Sequence, residues 1–203
     1  MEVNKDVGVA IVHYDTPDLL VAAVKSVAEH VGRVVIIDGS PEGTEGYDAA
    51  GLLEGVFPNV ECKHVKDNIG HGPGLNMAID MLDTEYIICM DSDAELLDSS
   101  LIGDMKEALK GDDVYGSGWV LTLKSGKPYL HLPFCMFKKT SFEAHPKFIH
   151  GGAPFINTMK VIHKKGLRLA DIPNYQERLR HEGRGTRIHN PEWRRSFGGR
   201  DGV

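Results

Sequence analysis

Cysteine is scarce in this chain of 203 residues. Cys62, Cys89 and Cys135 are odd in number and far apart, which excludes a secreted disulfide framework and any CxxC metal or redox motif. A reduced, cytoplasmic setting is expected. Long apolar runs are also missing. The run nearest the N-terminus, Val7 to Val12, is six residues long, too short for a signal core or a membrane span. No integral membrane segment is expected, and the mature start is expected near Met1. A basic excess is absent as well: 23 Lys and Arg stand against 29 Asp and Glu, a net charge of −6, which argues against a general nucleic-acid coat protein. With no internal repeat, low-complexity tract or long linker, residues 1–203 read as one domain. A chain of this length buries roughly 70% of its unfolded surface, so its core needs no disulfide or structural metal.

Short apolar runs alternate with helix-period segments through the first half, the pattern of a mostly parallel sheet covered by helices. Val7 to His13 predicts a buried first strand. Thr16 and Pro17 offer an N-cap and first turn for a helix carrying Leu19, Leu20, Ala23, Val24, Val27, Ala28 and Val31, with Gly32 as its stop. Strands are predicted at Val34 to Ile37, Val60 to Val65 and Tyr86 to Met90. Between the last two, the glycine-rich stretch Asn68 to Gly74 leads into a helix with Leu75, Ala78, Ile79 and Leu82 on one face. A further helix runs from Ser99 or Ser100 to Leu109. Beyond residue 112 the alternation stops. Strands at Val114 to Leu123 and Tyr129 to Leu132 meet in a hairpin at Ser125-Gly126-Lys127-Pro128. Pro154 to Lys165 predicts a helix closed by Gly166, followed by a short strand over Leu167 to Ile172.

Polar side chains collect where predicted strands end, which is where open α/β sheets bind ligands. Asp91 and Asp93 follow the fourth strand two residues apart. Two carboxylates in that position suit a hard divalent cation, Mg²⁺ or Mn²⁺, that shares a diphosphate with the protein; they also suit a turn that merely ends the strand. Tyr14 and Asp15 after the first strand can stack on or bond a base, and Asp38 after the second can accept from a ribose hydroxyl or base N–H. The same aspartates can serve as loop-turning residues. Backbone N–H groups between Asn68 and Asn76, around Gly70, can face phosphate or sugar hydroxyls.

Four stretches in this order, Val9 to Tyr14, Val35 to Ser40, Asn68 to Asn76 and Asp91-Ser92-Asp93, resemble the family 2 glycosyltransferases of the GT-A fold. The resemblance covers about residues 7 to 97 and then thins. It implies an α/β, Rossmann-like domain with a mostly parallel central sheet and a smaller antiparallel acceptor-side region. Residues 1–112 would form the nucleotide-sugar half, 113–190 the acceptor half and 191–203 a tail. The family's activity is transfer of a sugar from a nucleotide-diphosphate donor (UDP-, GDP- or dTDP-linked) to a hydroxyl acceptor, which can be a glycan, a lipid-linked group, a protein or a nucleic acid. Carried over, Tyr14, Asp15 and Asp38 become base or ribose contacts, and Asn68, Gly70 and Asn76 nucleotide-sugar loop residues. Asp91 and Asp93 become the ribose and metal side. His181, in a segment similar to the family's "H-x-x-G-x-S/T", becomes a third ligand to Mn²⁺ or Mg²⁺.

One expected feature is absent. The family's inverting members carry an acidic pair on the helix before the position of Gly166, and no carboxylate lies between Glu143 and Asp171. Glu143, His145 and His150 are the substitutes offered for the general base. From Gln176 to Arg200 seven Arg stand against three Glu, and these arginines, Arg184 among them, can fork onto diphosphate oxygens. Two other readings stay open: a binding module that keeps the donor pocket without turnover, and a nucleotidyltransferase, which would want a basic, glycine-rich first loop in place of His13 to Pro17.

Overall fold

A computed structural model describes residues 3–149 and 153–183. In chain order its elements are β1 (Asn4–His13), α1 (Pro17–Val27), β2 (Val31–Asp38), α2 (Glu45–Val56), β3 (Val60–His64), α3 (His71–Met81), β4 (Tyr86–Asp91), β5 (Ala94–Leu96), α4 (Ser100–Ala108) and β6 (Val114–Gly118). There follow β7 (Val120–Thr122), β8 (Pro128–Leu130), β9 (Phe134–Lys138), α5 (Lys139–Glu143), α6 (Ile156–Lys164), β10 (Arg168–Asp171), α7 (Tyr175–Arg178) and β11 (Leu179–His181).

Seven strands form the central sheet in the order β10-β6-β9-β4-β1-β2-β3. β1 pairs in parallel with β2 and β4, and β2 with β3, while β9 runs antiparallel between β4 and β6. The fold is therefore α/β and mostly parallel, as expected. Successive residues of the middle strands feed opposite faces: Val9, Ile11, Val34, Ile36, Ile88 and Met90 pack on one side, Ala10, Val35, Ile37, Ile87 and Cys89 on the other. Both faces are covered, which is why these strands are apolar throughout instead of alternating.

Several boundaries differ from the sequence reading. The first helix ends at Val27, and Val31 and Gly32 belong to β2. Gly32 is a close-approach residue, since a Cβ there would stand 2.2 Å from the Lys5 carbonyl oxygen. Thr16 makes no side-chain cap; its N–H instead donates to His13 Nε2 at 2.9 Å. The predicted hairpin forms as β7 and β8, and Gly166 closes α6 with φ +73°. Helix α2 and strands β5, β9 and β11 had no counterpart in the sequence reading.

Candidate active site

Strand β4 lies between β1 and β9 with its middle four residues buried, so it delivers Asp91 rigidly to the C-terminal edge of the sheet. The Asp91 N–H donates to the Pro133 carbonyl at 2.9 Å. The chain then turns through buried Ser92 into β5, which pairs antiparallel with β11 in a register that sets His181 opposite Ala94. The Glu182 N–H donates to the Asp93 carbonyl at 3.2 Å. This short clip brings together residues 88 positions apart in the chain. It is anchored from behind by Arg178, which donates to Asp104 at 2.6 Å and to Ser100 Oγ at 2.8 Å.

Asp91, Asp93 and His181 thereby converge. His181 Nε2 is 3.2 Å from Asp93 Oδ1 and 3.6 Å from Asp91 Oδ2, and all three residues offer ligand atoms within 4.8 Å of one another. Two carboxylate oxygens and one imidazole nitrogen suit Mn²⁺ well and leave positions open for other oxygens. The donor set fits the cation the sequence implied.

Two further histidines were missed by the sequence reading. His71, the first residue of α3, places Nε2 3.2 Å from Asp91 Oδ1, so Asp91 is held between two imidazoles. His131, on the hairpin side, meets the His181 ring edge-on at 5.9 Å and the Trp119 ring at 4.9 Å. The charges of Asp91, His71 and His181 reinforce one another. Burial by itself would raise the Asp91 carboxyl, but the charge and hydrogen bond of His71, with His181 and His131 adding, hold it below the ordinary value. His71 and His181 shift the other way: burial disfavours their cations, and the adjoining aspartates outweigh it and raise both. His131 is lowered, first by burial and then by the neighbouring His181. The signal for His71 was its place in the glycine-rich stretch just before a helix; His131 had no motif to mark it.

Tyr14 and Asp15, which follow β1, are half-buried at the same edge. Asp15 adopts φ +47°. Its N–H donates to Ser40 Oγ at 2.8 Å, and its Oδ1 accepts from the Gly46 N–H at 3.3 Å. The backbones of Asp15 and Gly46 come so close that a Cβ on Gly46 would stand 2.5 Å from the Asp15 Cα, which explains a glycine in the first turn of α2.

Asp38 requires a correction. It is fully buried, and both oxygens are taken by the protein: Oδ1 by His13 Nδ1 at 2.9 Å and by Ser40 N and Oγ at 3.1 and 2.5 Å, Oδ2 by His64 Nδ1 at 2.8 Å. Because His13 Nε2 accepts from Thr16, its proton sits on Nδ1 and points at Asp38. Asp38 is thus a buried tie between the ends of β1, β2 and β3 and does not present an acceptor to ribose or base. His64, stacked on Tyr47 at 3.8 Å, is the partly exposed end of that network.

In the glycine-rich segment the Asn68 and Asn76 side chains bond the backbone. Asn68 Oδ1 accepts from the Gly70 N–H at 3.0 Å, shaping the turn, and Gly70 has φ +88°. A Cβ on Gly72 would stand 2.0 Å from the Ile149 carbonyl oxygen, and one on Gly74 2.7 Å from a Val12 methyl. Asn76 spends its amide on the backbone of Phe148, donating at 2.8 Å and accepting at 3.0 Å. Asn76 therefore fastens a loop to α3 and does not face a sugar.

The proposed bases fare worst. β9 runs antiparallel to β4 with Lys138 opposite Tyr86, so α5 begins at the N-terminal end of β4, about 16 Å from Asp91 at the usual rise per residue. Glu143 is exposed there. His145 bonds the Ser141 carbonyl at 2.6 Å and packs edge-on against Tyr115. Neither is at the edge that carries Asp91. We expect Glu143→Gln to retain donor turnover within about twofold, measured by nucleoside diphosphate release; a loss of the 10²- to 10⁴-fold size that a general base supplies would contradict this placement. His150 and Arg184 lie outside the described residues, as do residues 191–203.

Residues 8–167 match the family described as glycosyl transferase family 2. No curated protein matches the chain. Among solved structures, the mannosyltransferase PcManGT from Pyrobaculum calidifontis, in complex with GDP-Man and Mn2+, is similar with a TM-score of 0.71 at 17% identity, over 86% of this chain and 58% of that one. TarS 1-349 from S. aureus is similar with a TM-score of 0.61 at 12% identity, over 83% and 58%. At such identities the likeness is one of fold, and the chain spans 58% of the length of each neighbour.

Proposed function

The chain belongs to glycosyl transferase family 2 and has the GT-A fold, and from that premise we propose that it moves a sugar from a nucleotide-diphosphate donor to a hydroxyl acceptor with a divalent cation held by Asp91, Asp93 and His181. The observation that carries this reading is the convergence of those three donors at the C-terminal edge of the sheet. Manganese or magnesium bound there would supply positive charge against the diphosphate as it leaves. The chain's own residues do the rest. Asp93 and His181, brought together by the β5 and β11 clip, would hold the cation with Asp91. Asp91, fixed by β4, is kept ionised by His71. The N–H groups of His71 and Gly72 open α3 at the same edge, where a helix start favours anionic oxygens. Tyr14 and Asp15 lie on the base side, and Arg184 follows His181 in sequence as a candidate phosphate contact. Residues 1–112 form the donor half of a single domain and 113–190 the acceptor half. Three free cysteines and the absence, among the described residues, of any helix long and apolar enough to cross a membrane support a cytoplasmic setting.

Melting curves with a panel of nucleoside diphosphates and sugar nucleotides, each with and without Mn²⁺, test the reading. A ligand at 100 times its Kd adds about 2.7 kcal/mol, which for a domain of this size is roughly 5–10 °C. Stabilisation that needs both nucleotide and Mn²⁺, with release of nucleoside diphosphate from the matching donor, is expected. Pyrophosphate released from a triphosphate would instead mark a nucleotidyltransferase, and saturable binding with no release would mark a binding module.

His71 is expected to act on the cation through Asp91. Outer partners of metal ligands typically cost 10- to 100-fold in affinity when removed, so His71→Ala should weaken Mn²⁺ binding by about that factor while leaving the melting temperature of the metal-free protein near wild type. Unchanged Mn²⁺ affinity, read by titration against its electron paramagnetic resonance signal, would remove His71 from the site.

A further inference from the structure

Charge is sorted along this chain. Residues 1–113 carry seven Lys and Arg against 23 Asp and Glu, a net −16, whereas residues 114–170 carry eight Lys and one Arg against Glu143 alone, a net +8. The fold sets five of the second group, Lys124, Lys127, Lys160, Lys164 and Lys165, on the β7 and β8 hairpin and helix α6. The β7 and β8 hairpin ends in exposed Lys124 and Lys127. Helix α6 is fastened beside it, with His163 Nε2 2.8 Å from the Pro128 carbonyl oxygen. Met159 and Ile162 bury one side of α6, and helical spacing turns Lys160 and Lys164 to the opposite, solvent side, where both are exposed. At the end of the helix, exposed Lys165 reaches to 3.3 Å from His145 Nε2 and so extends the surface past α5.

Of these nine cations, Lys147 and Arg168 pair with Asp80 and Asp113; the others form no salt bridge among the described residues. Surfaces ordinarily mix both signs; here the exposed Asp171, which accepts from the Val120 N–H at the base of the hairpin, stands against a clear excess of lysine, and such an excess favours a counter-charged partner. The chemistry of the face narrows that partner. Every Phe and Tyr between residues 114 and 170 is buried, and the partly buried Trp119 is packed against the His131 and Tyr175 rings, so the lysine face itself offers nucleobases no ring to stack on. Lysine predominates, a point charge on a flexible stem, where recognition of one particular phosphate favours the arginine fork. Spread lysines suit a plane of many anionic headgroups.

We propose that the surface formed by the β7 and β8 hairpin and helix α6 docks on an anionic lipid bilayer. The hairpin rises from the edge that carries Asp91, since the His131 N–H donates to the Trp119 carbonyl at 2.9 Å at its base and Pro133 accepts from Asp91. The proposal stands independently of glycosyl transfer, because it needs neither donor nor cation.

The test is flotation of the full chain with phosphatidylcholine vesicles, with and without about 30% phosphatidylglycerol, at about 0.1 M and about 0.5 M salt. Binding is expected only to the anionic vesicles and only at the lower salt. Each lysine near such a surface changes affinity about fivefold, so the quadruple variant K124E/K127E/K160E/K164E should bind more than 100-fold more weakly. The milder K124Q/K127Q/K160Q/K164Q set serves if the first fails to fold. Both variants should keep the melting temperature and the nucleotide response of the wild type, which separates failure of the surface from failure of the site. Equal binding by variant and wild type, equal binding to neutral vesicles, no binding to anionic ones, or capture of an oligonucleotide or a second copy in place of vesicles would overturn the proposal.

Discussion

Replacing Asp93 by alanine should reduce donor turnover by about 10³-fold or more, the largest loss expected of any single substitution in this protein. The magnitude follows from removing electrostatic stabilisation of a leaving diphosphate, which is worth several kcal/mol in a site of this kind. Asp93 is expected to matter most because it pairs more closely with His181 than Asp91 does, at 3.2 against 3.6 Å, so its loss loosens the histidine as well as removing a carboxylate. Substrate affinity without metal should change little, and excess Mn²⁺ should not rescue the variant. Wild-type turnover by purified Asp93→Ala, with the fold verified by its melting curve, would contradict this assignment. Loss of the same size in Glu143→Gln would contradict it too, since that side chain stands at the other end of the sheet.

The second large effect is on stability. Asp38→Ala should lower stability by about 3 kcal/mol or more, because each buried donor left without a partner costs about 1–3 kcal/mol, and His13 Nδ1 and the Ser40 groups would all lose theirs. For a chain of this size that is a fall of roughly 6–12 °C in melting temperature. Burial opposes the Asp38 charge, but hydrogen bonds from His13 and Ser40 prevail and hold its carboxyl below the ordinary value. The sign follows: a depressed folded pKa gives stability that is fully present above the unfolded value near 3.9 and is lost as pH falls through the folded one. The gap between wild type and Asp38→Ala should therefore be constant near neutrality and narrow only below about pH 4. A variant that melts with the wild type, or a gap that closes around neutral pH, would show that Asp38 is not the tie between the three strand ends.

Much of the architecture was legible because parallel strands buried on both faces are apolar runs ended by polar residues. Those runs located β1 through β4, and with them the edge where Asp91 and Asp93 sit. His181 was legible only through a motif resemblance. What places it at the site is a pair of three-residue strands, too short to show a period. Helix α2 was hidden by Gly46, Gly51 and Gly55, which dilute helical propensity, although Gly46 is explained by the approach of Asp15. Strand β9, Phe134 to Lys138, has no counterpart in the sequence reading, so nothing there shows on which end of the sheet Glu143 and His145 lie. Once β9 is seen to run back along β4, the residues that follow it must emerge at the far end. Asp38 and Asn76 were misread for a different reason: their residue types suit a ligand as well as they suit the backbone and histidine partners they have, and only the fold decides between the two.

The central claim is that Asp91, Asp93 and His181 hold a divalent cation against a nucleoside diphosphate. Crystals soaked with MnCl₂ and GDP or UDP, with anomalous data collected at the manganese edge, test it directly. A peak bonded to oxygens of the aspartates and to a nitrogen of His181, at about 2.0–2.3 Å, with diphosphate oxygens completing the shell, is the predicted result. Nucleotide density with no manganese peak among these three side chains, still turned toward one another as His181 now is toward Asp93, would contradict it.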